Sequence, residues 1–310
     1  MSDFSYEPSP HVPFRDRAAI ARCRAIRRDD LAKHPNPLLH IRIVPDEDIG
    51  FLWIADMFHR IKAAADEGRA LVMILPNPCP AYRHLARLIN LFGIDCRKLV
   101  LFAMDEYADQ DGRVAPADWP KGFGYAMRRH LVDGIEERLR PPASQVHGFT
   151  TGNCSAYGRM IEDAGNADIV YSGPGWTGHL AFIEPDAPEF DAPLEEWMRM
   201  GPRIVTLSPY TLAQNSLHGS FGMSGDLAAV PPKAATIGPA QVVAARERME
   251  IHNLGIHGTA TSWQRMISRL CLHGPVTPRL PSSIHQLLGA EVLVSETIAA
   301  DISDDSGKEY

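Results

Sequence analysis

The residue types able to move protons are gathered in two short stretches. Asp105 and Glu106 fall near the end of the apolar run KLVLFAMDEY (residues 98–107), and His179 and Glu184 stand five residues apart in YSGPGWTGHLAFIEP (residues 171–185). A carboxylate at the mouth of a strand, shielded from water, has its pKa raised towards the range where it works as a base near neutral pH. Alternation along the strand sends neighbouring side chains to opposite faces, so only one of Asp105 and Glu106 faces a site. The plainer reading of either is a carboxylate that caps a helix or pairs with an arginine. An imidazole at His179 titrates near neutrality, and Glu184 could hold its second nitrogen and fix the tautomer. The plainer reading there is a helix-opening histidine bonded to backbone, with Glu184 a solvated acid before Pro185. Cys79, in LPNPCP (residues 75–80), has no evident cationic neighbour and reads as a structural thiol rather than a nucleophile. The thirteen histidines, His252 and His257 among them, show neither HExxH nor paired-ligand spacing, so no metal is expected.

Such groups need a scaffold that brings strand ends together. Apolar runs at residues 70–76, 98–107, 168–173, 203–208, 248–255 and 290–295 have the length and continuity of strands covered on both faces. Between them lie helical periodicities. Asp48 is placed to cap a helix that carries Ile54, Met57, Phe58, Ile61 and Ala65 on one face and ends at Gly68. Residues 81–93, 122–139 and 259–274 follow the same logic, each ending near glycine or proline. Strand and helix in alternation predict a doubly wound, mostly parallel α/β sheet with helices on both faces, a Rossmann-like three-layer arrangement. Ligands of such sheets sit at the carboxyl ends of the strands, where LPNPCP, DEY and GPGWTGH converge.

The 310 residues carry 31 basic and 38 acidic side chains, a net charge of -7, without long blocks of either sign. Nucleic acid is therefore not an expected partner. Five scattered cysteines without a CxxC pair suggest neither a disulfide framework nor a zinc knuckle, and fit a reducing cytoplasm. No apolar run is long enough to span a bilayer, and the polar start is unlike a signal peptide. We divide the chain into an extension (residues 1–40) holding a solvated arginine-rich helix, one domain (41–300) and a tail (301–310).

MDEY (residues 104–107) and GHLAFIEP (residues 178–185) resemble the MDEY and GHIAFNEP of the glucosamine-6-phosphate deaminase/isomerase family, relatives of the 6-phosphogluconolactonases. Asn215 and Ser216 add a weaker match, and the likeness runs from IRIVP (residues 41–45) to the strand near Val294. The deaminase branch is the closer one. The resemblance implies that Asp105 moves a proton between C2 and C1 of an opened sugar, that His179 assists ring opening, and that Glu184 orients His179. It implies a sugar or amino-sugar substrate, no cofactor, and contacts from Asn77, Cys79, Glu106, Gly175, Trp176, Thr177, Gly178 and His257. Homo-oligomerisation is left open.

The departures from the family pattern are equally specific. Thr177 stands where the family carries an aspartate, and a threonine bears no charge. Pro78 and Pro80 replace residues of a loop whose N–H groups hold a phosphate in the family. The family's phosphate arginine and lysine align near Leu212 and Gly258. A dianion without charged partners carries a large desolvation cost, so a weak preference for sugar 6-phosphates is expected. His218 and His257 lie near the lost cations and could meet a carboxylate or hydroxyl, or simply be surface or core histidines. Trp176 could stack on a sugar or plug the vacated pocket. The function expected is sugar isomerisation or deamination, against a non-catalytic sugar-binding homologue or a lactone hydrolase.

Overall fold

The computed structural model describes residues 6–185, 187–254 and 262–303. Seven strands form a wholly parallel sheet: β1 (Leu39–Val44), β2 (Leu71–Leu75), β3 (Leu99–Ala103), β5 (Val146–His147), β6 (Ile169–Ser172), β9 (Glu247–His252) and β10 (Ala290–Ser295). Their order is β1-β10-β9-β6-β2-β3-β5. A smaller antiparallel sheet joins β4 (Asp105–Ala108), β8 (Lys233–Thr236) and β7 (Arg203–Thr206), in that order.

The continuous apolar character of β2 and β3 follows from burial on both faces. Leu71, Met73, Leu75, Leu99, Leu101 and Ala103 enter one core cluster, while Val72, Ile74, Val100 and Phe102 enter the other, the two-residue period of a pleated strand. Ahead of β1 lie α1 (Arg17–Arg24) and α2 (Arg28–Leu31). The first cluster is completed by α3 (Asp48–Asp66) and α4 (Tyr82–Phe92), which bring Ile54, Met57, Tyr82 and Leu85 onto the sheet. α4 ends where Gly93 turns left-handed at φ 62°. After α4 come α5 (Phe123–His130), α6 (Tyr157–Asp163), α7 (Leu194–Trp197), α8 (Pro209–Ser216) and α9 (Pro239–Ala244). Tyr157 of α6 and Val242 of α9 close the second cluster, giving the three layers expected.

Several local expectations change. Asp48 lies inside the first turn of α3 and caps nothing with its side chain, and Ala64 rather than Ala65 takes the inner position. The helix expected over residues 122–139 stops at His130 and gives way to a short 3-10 turn. The helix expected over residues 259–274 is α10 (Arg265–His273). Residues 98–107 form two strands rather than one, divided at Met104, whose amide donates to Leu75 of β2 while its carbonyl accepts from Ile237 beside β8. That residue hands the chain from the large sheet to the small one. Residues 203–206 belong to the small sheet as well.

The arginine-rich segment is a helix solvated on one side only, with Arg17, Arg22 and Arg24 exposed and Ala19 and Cys23 buried. Asp16 caps α1 by accepting from the Ala19 amide, and Cys23 is fully buried among Ile267, Leu270, Cys271 and Leu280. Arg269 of α10 is buried too, and its guanidinium donates to the carbonyls of Ile26, Arg265, Ile298, Ala299 and Ala300. No helix among the described residues is long and apolar enough to cross a membrane.

Candidate active site

A cavity of about 810 Å³ opens at the carboxyl ends of β2, β3 and β6. Its wall includes Pro76 to Ala81, Met104, Asp105, Ser172, Gly173, His179, the α5 face bearing Ala126 and Arg129, Gln214 and Asn215 of α8, and His218 after it. Buried polar atoms without a hydrogen-bond partner are rare in folded proteins. Here Asn77 Oδ1, Asp105 Oδ1, Ser172 Oγ and His218 Nδ1 are all of that kind, and all belong to residues lining this one cavity.

The pair after β3 divides its roles as strand alternation requires. Asp105 lines the cavity, and burial followed by the neighbouring Glu106 pushes its carboxyl well above the usual carboxylate range. Glu106 points the other way and accepts from the amides of Tyr107 (2.9 Å), Phe123 (2.9 Å) and Gly124 (2.8 Å). It is the negative group at the amino end of α5, where the helix dipole favours it. Burial raises its pKa, and those three amides pull against the rise. The capping reading thus holds for Glu106, which does not line the cavity.

His179 follows a tight turn rather than opening a helix. Gly178 adopts φ 80°, and Ala181, a residue with a Cβ, adopts φ 52°. A left-handed alanine costs of order 1 kcal/mol or more, the kind of strain that collects at functional sites. His179 Nδ1 lies 3.2 Å from Thr177 Oγ1, 3.1 Å from Thr211 Oγ1 and 3.8 Å from Glu184 Oε2. Glu184 therefore approaches at ion-pair distance, and two hydroxyls hold the ring. Glu184 Oε1 accepts from the Ser208 amide, and the Ser208 hydroxyl donates to Thr211 Oγ1, so the carboxylate also braces the turn that presents Thr211. The opposite edge of the ring fills the place of a missing side chain: a Cβ at Gly175 would stand 1.8 Å from Nε2. Burial, then nearby His218, pushes the His179 pKa down to about 4, leaving a neutral imidazole at pH 7. Burial also pushes His218 down to about 4.

The loop after β2 is closed upon itself. Pro78 and Pro80 bring no N–H. The amides of Ala81 and Tyr82 face the Cys79 thiol, which burial pushes up to about 12, and those of Arg83 and His84 donate to the carbonyls of Pro80 and Ala81. Leu212, aligned near the family's arginine, packs partly buried against the core.

Of the substrate contacts expected, Asn77 and Cys79 line the cavity, whereas Gly175, Trp176, Thr177 and Gly178 form the turn behind His179. Trp176 is 39% exposed, edge-on to Trp263 at 4.8 Å, and its amide donates to Gln214 Oε1. His257 and Gly258 lie outside the described residues. His252 is committed elsewhere: with His285 it flanks the buried Glu250, at 3.2 and 2.9 Å, and its Nδ1 meets Ser268 Oγ. Thr211 and Ser208 carried no weight in the motif reading. Their one local signal is SPYT, the Ser cap and first-turn proline that begin α8. No group of three side chains suited to hold a metal is found among the described residues.

No family model matches the chain. It is 31% identical over 224 residues to a glucosamine-6-phosphate deaminase of Porphyromonas gingivalis, covering 69% of this chain and 78% of that protein. A Streptomyces avermitilis protein of the same name is 24% identical over 266 residues, covering 84% and 92%. Among solved structures, a monomeric glucosamine-6-phosphate deaminase superposes with a TM-score of 0.67 at 20% identity, covering 84% of this chain and 98% of that one. A 6-phosphogluconolactonase from Trypanosoma cruzi gives 0.58 at 17%, covering 86% and 98%, a likeness of fold. With the first of these relatives above 30% identity across more than two thirds of its length, the chain belongs to the glucosamine-6-phosphate deaminase family.

Proposed function

We propose that this protein interconverts aldose and ketose forms of a sugar or amino sugar by proton transfer, releasing ammonia where the substrate is an amine. Asp105 takes the proton from C2 and returns it to C1 of the opened chain. The resulting ketose imine adds water and leaves as ketose and ammonia. His179, neutral and held at Nδ1, exchanges the proton of the ring oxygen during opening, and Glu184 acts through the turn that positions it. The observation that carries this reading is the pairing of Asp105 and His179 in one cavity bordered by unpartnered polar atoms. The substrate lacks the usual 6-phosphate, because Pro78 and Pro80 bring no N–H to the loop after β2, the amides of Ala81 to His84 are turned to acceptors within it, and Leu212 offers no charge. The buried thiols suit a reducing cytoplasm.

The test is ammonia and ketose release across phosphorylated and unphosphorylated amino sugars and sugars. Turnover of an unphosphorylated substrate that falls at least about a hundredfold in Asp105→Asn supports the reading. Brisk turnover of glucosamine 6-phosphate removes the phosphate-free part of it. The second reading, a sugar-binding homologue without turnover, draws on Thr177, which puts a hydroxyl at 3.2 Å from His179 Nδ1 and no charge. Binding of a sugar without any product would favour it.

A further inference from the structure

The cavity has one cationic wall that neither the motifs nor the family resemblance assigns. Arg129 lines it from the last turn of α5, with His130 and Tyr125 beside it. A basic residue at a helix carboxyl end is ordinarily explained by the dipole. Arg129 is turned otherwise: its Nη1 donates to Tyr125 Oη at 3.2 Å, one turn back towards the amino end. No carboxylate among the described residues pairs with Arg129, His130 or Arg83. Burial, then Arg129 and Arg83, lowers the His130 pKa, which marks a positive cluster lacking a counter-anion. Among the described residues Asp105 is the only carboxylate in the cavity wall. In a chain of net charge -7 the cavity is thus locally positive.

We propose that Arg129, braced by Tyr125 and next to His130, is the binding site for a carboxylate of the ligand, so that the preferred substrate is an acidic sugar or acidic amino sugar. The proposal rests on the reading that this cavity takes a sugar. A carboxylate fits the planar fork of one guanidinium. A phosphate dianion needs further donors, and in the nearby loop Pro78 and Pro80 bring none while the amides of Ala81 to His84 are turned to acceptors within the loop.

Equilibrium binding of a hexuronate, the matching neutral hexose and the hexose 6-phosphate to the Asp105→Asn protein tests this without requiring turnover. The hexuronate should bind about tenfold more tightly than the neutral hexose. Arg129→Gln should erase that difference and leave the neutral hexose unchanged. Arg128→Gln, at a neighbour exposed like Arg129 but not lining the cavity, should alter neither. Absence of the hexuronate advantage, a stronger preference for the 6-phosphate, or an unaltered Arg129→Gln profile would overturn the proposal. A failure to detect ketose or ammonia bears instead on the isomerase reading, since these affinities are measured without catalysis.

Discussion

Thr177→Asp restores the carboxylate that the family pattern places beside His179, and the geometry fixes what it should do. Thr177 is 8% exposed and its Oγ1 stands 3.2 Å from Nδ1, so an aspartate oxygen reaches the same nitrogen in hydrogen-bond range. Glu184 already lies 3.8 Å away. An opposite charge at such a distance favours the protonated imidazole by about one to three pKa units. Starting from about 4, the His179 value should climb to near its ordinary value. Linked to folding, the change has a definite sign. In the native protein the folded value lies below the reference of 6.5, so stability falls as pH drops from 6.5 towards 4, by up to about 3 kcal/mol. In Thr177→Asp this acid loss should shrink, while burying a second carboxylate should cost about 1–3 kcal/mol at pH 7. Nitrogen-15 detected titration of His179 reads the pKa directly, with Thr177→Val as the control that removes the hydroxyl without adding charge. Titration of His179 near 6.5 in the unmodified protein, or no rise in Thr177→Asp, would refute the assignment of its environment.

Other outcomes are equally specific. Gly175→Ala places a Cβ where the His179 ring edge now lies, so the imidazole must shift by about 1 Å or more, turnover should fall about a hundredfold and overpacking should cost about 1–3 kcal/mol of stability; unchanged kinetics would show that the ring is not confined there. Burial opposes the Glu250 charge, but His285 first and then His252 offset it and hold the carboxyl down to about 2. Its contribution is therefore present above 4.5 and lost as pH falls from 4.5 towards 2. Glu250→Leu, which leaves His252 Nε2 without its partner and His285 Nδ1 with the Ser282 carbonyl alone, should cost about 3–5 kcal/mol in urea unfolding, and a loss below about 1 kcal/mol would contradict the buried pairing. Cys79, with its thiol pushed up to about 12, should resist iodoacetamide in the folded protein at pH 7.5; labelling within minutes, read by mass spectrometry, would contradict that environment.

The parallel sheet was legible because β2, β3, β6 and β10 are nearly unbroken apolar runs bounded by helix signals. What the pattern could not reveal was the change of sheet at Met104, since an apolar run reads alike on either side of it. DEY and GHLAFIEP located the cavity's carboxylate and imidazole, and strand alternation foretold that Asp105 and Glu106 would part. It could not say which of them faces the cavity, because that depends on α5 offering its amino end to Glu106. Thr211 approaches His179 across 32 positions of sequence, where no local spacing rule operates. Arg129 was hidden for another reason: a basic residue in the last turn of a helix looks like ordinary dipole compensation until the direction of its guanidinium is known. The solvated reading of α1 holds for its three arginines but missed the side that docks through Cys23 and Ile20, because those few apolar residues stand among charges and give little periodic signal.

Arg269 gathers carbonyls from both extremities of the polypeptide around one inaccessible cation. The amino-terminal residues are thereby a sealing piece, much as a cork is part of a closed flask. A chain starting at residue 32 would lose the Ile26 acceptor and bare the seam lined by Ile267 and Leu270, leaving a buried donor unanswered at a cost of about 1–3 kcal/mol. Removing residues 17–31 or 298–300 would thus loosen the helix that backs the Gly178 turn.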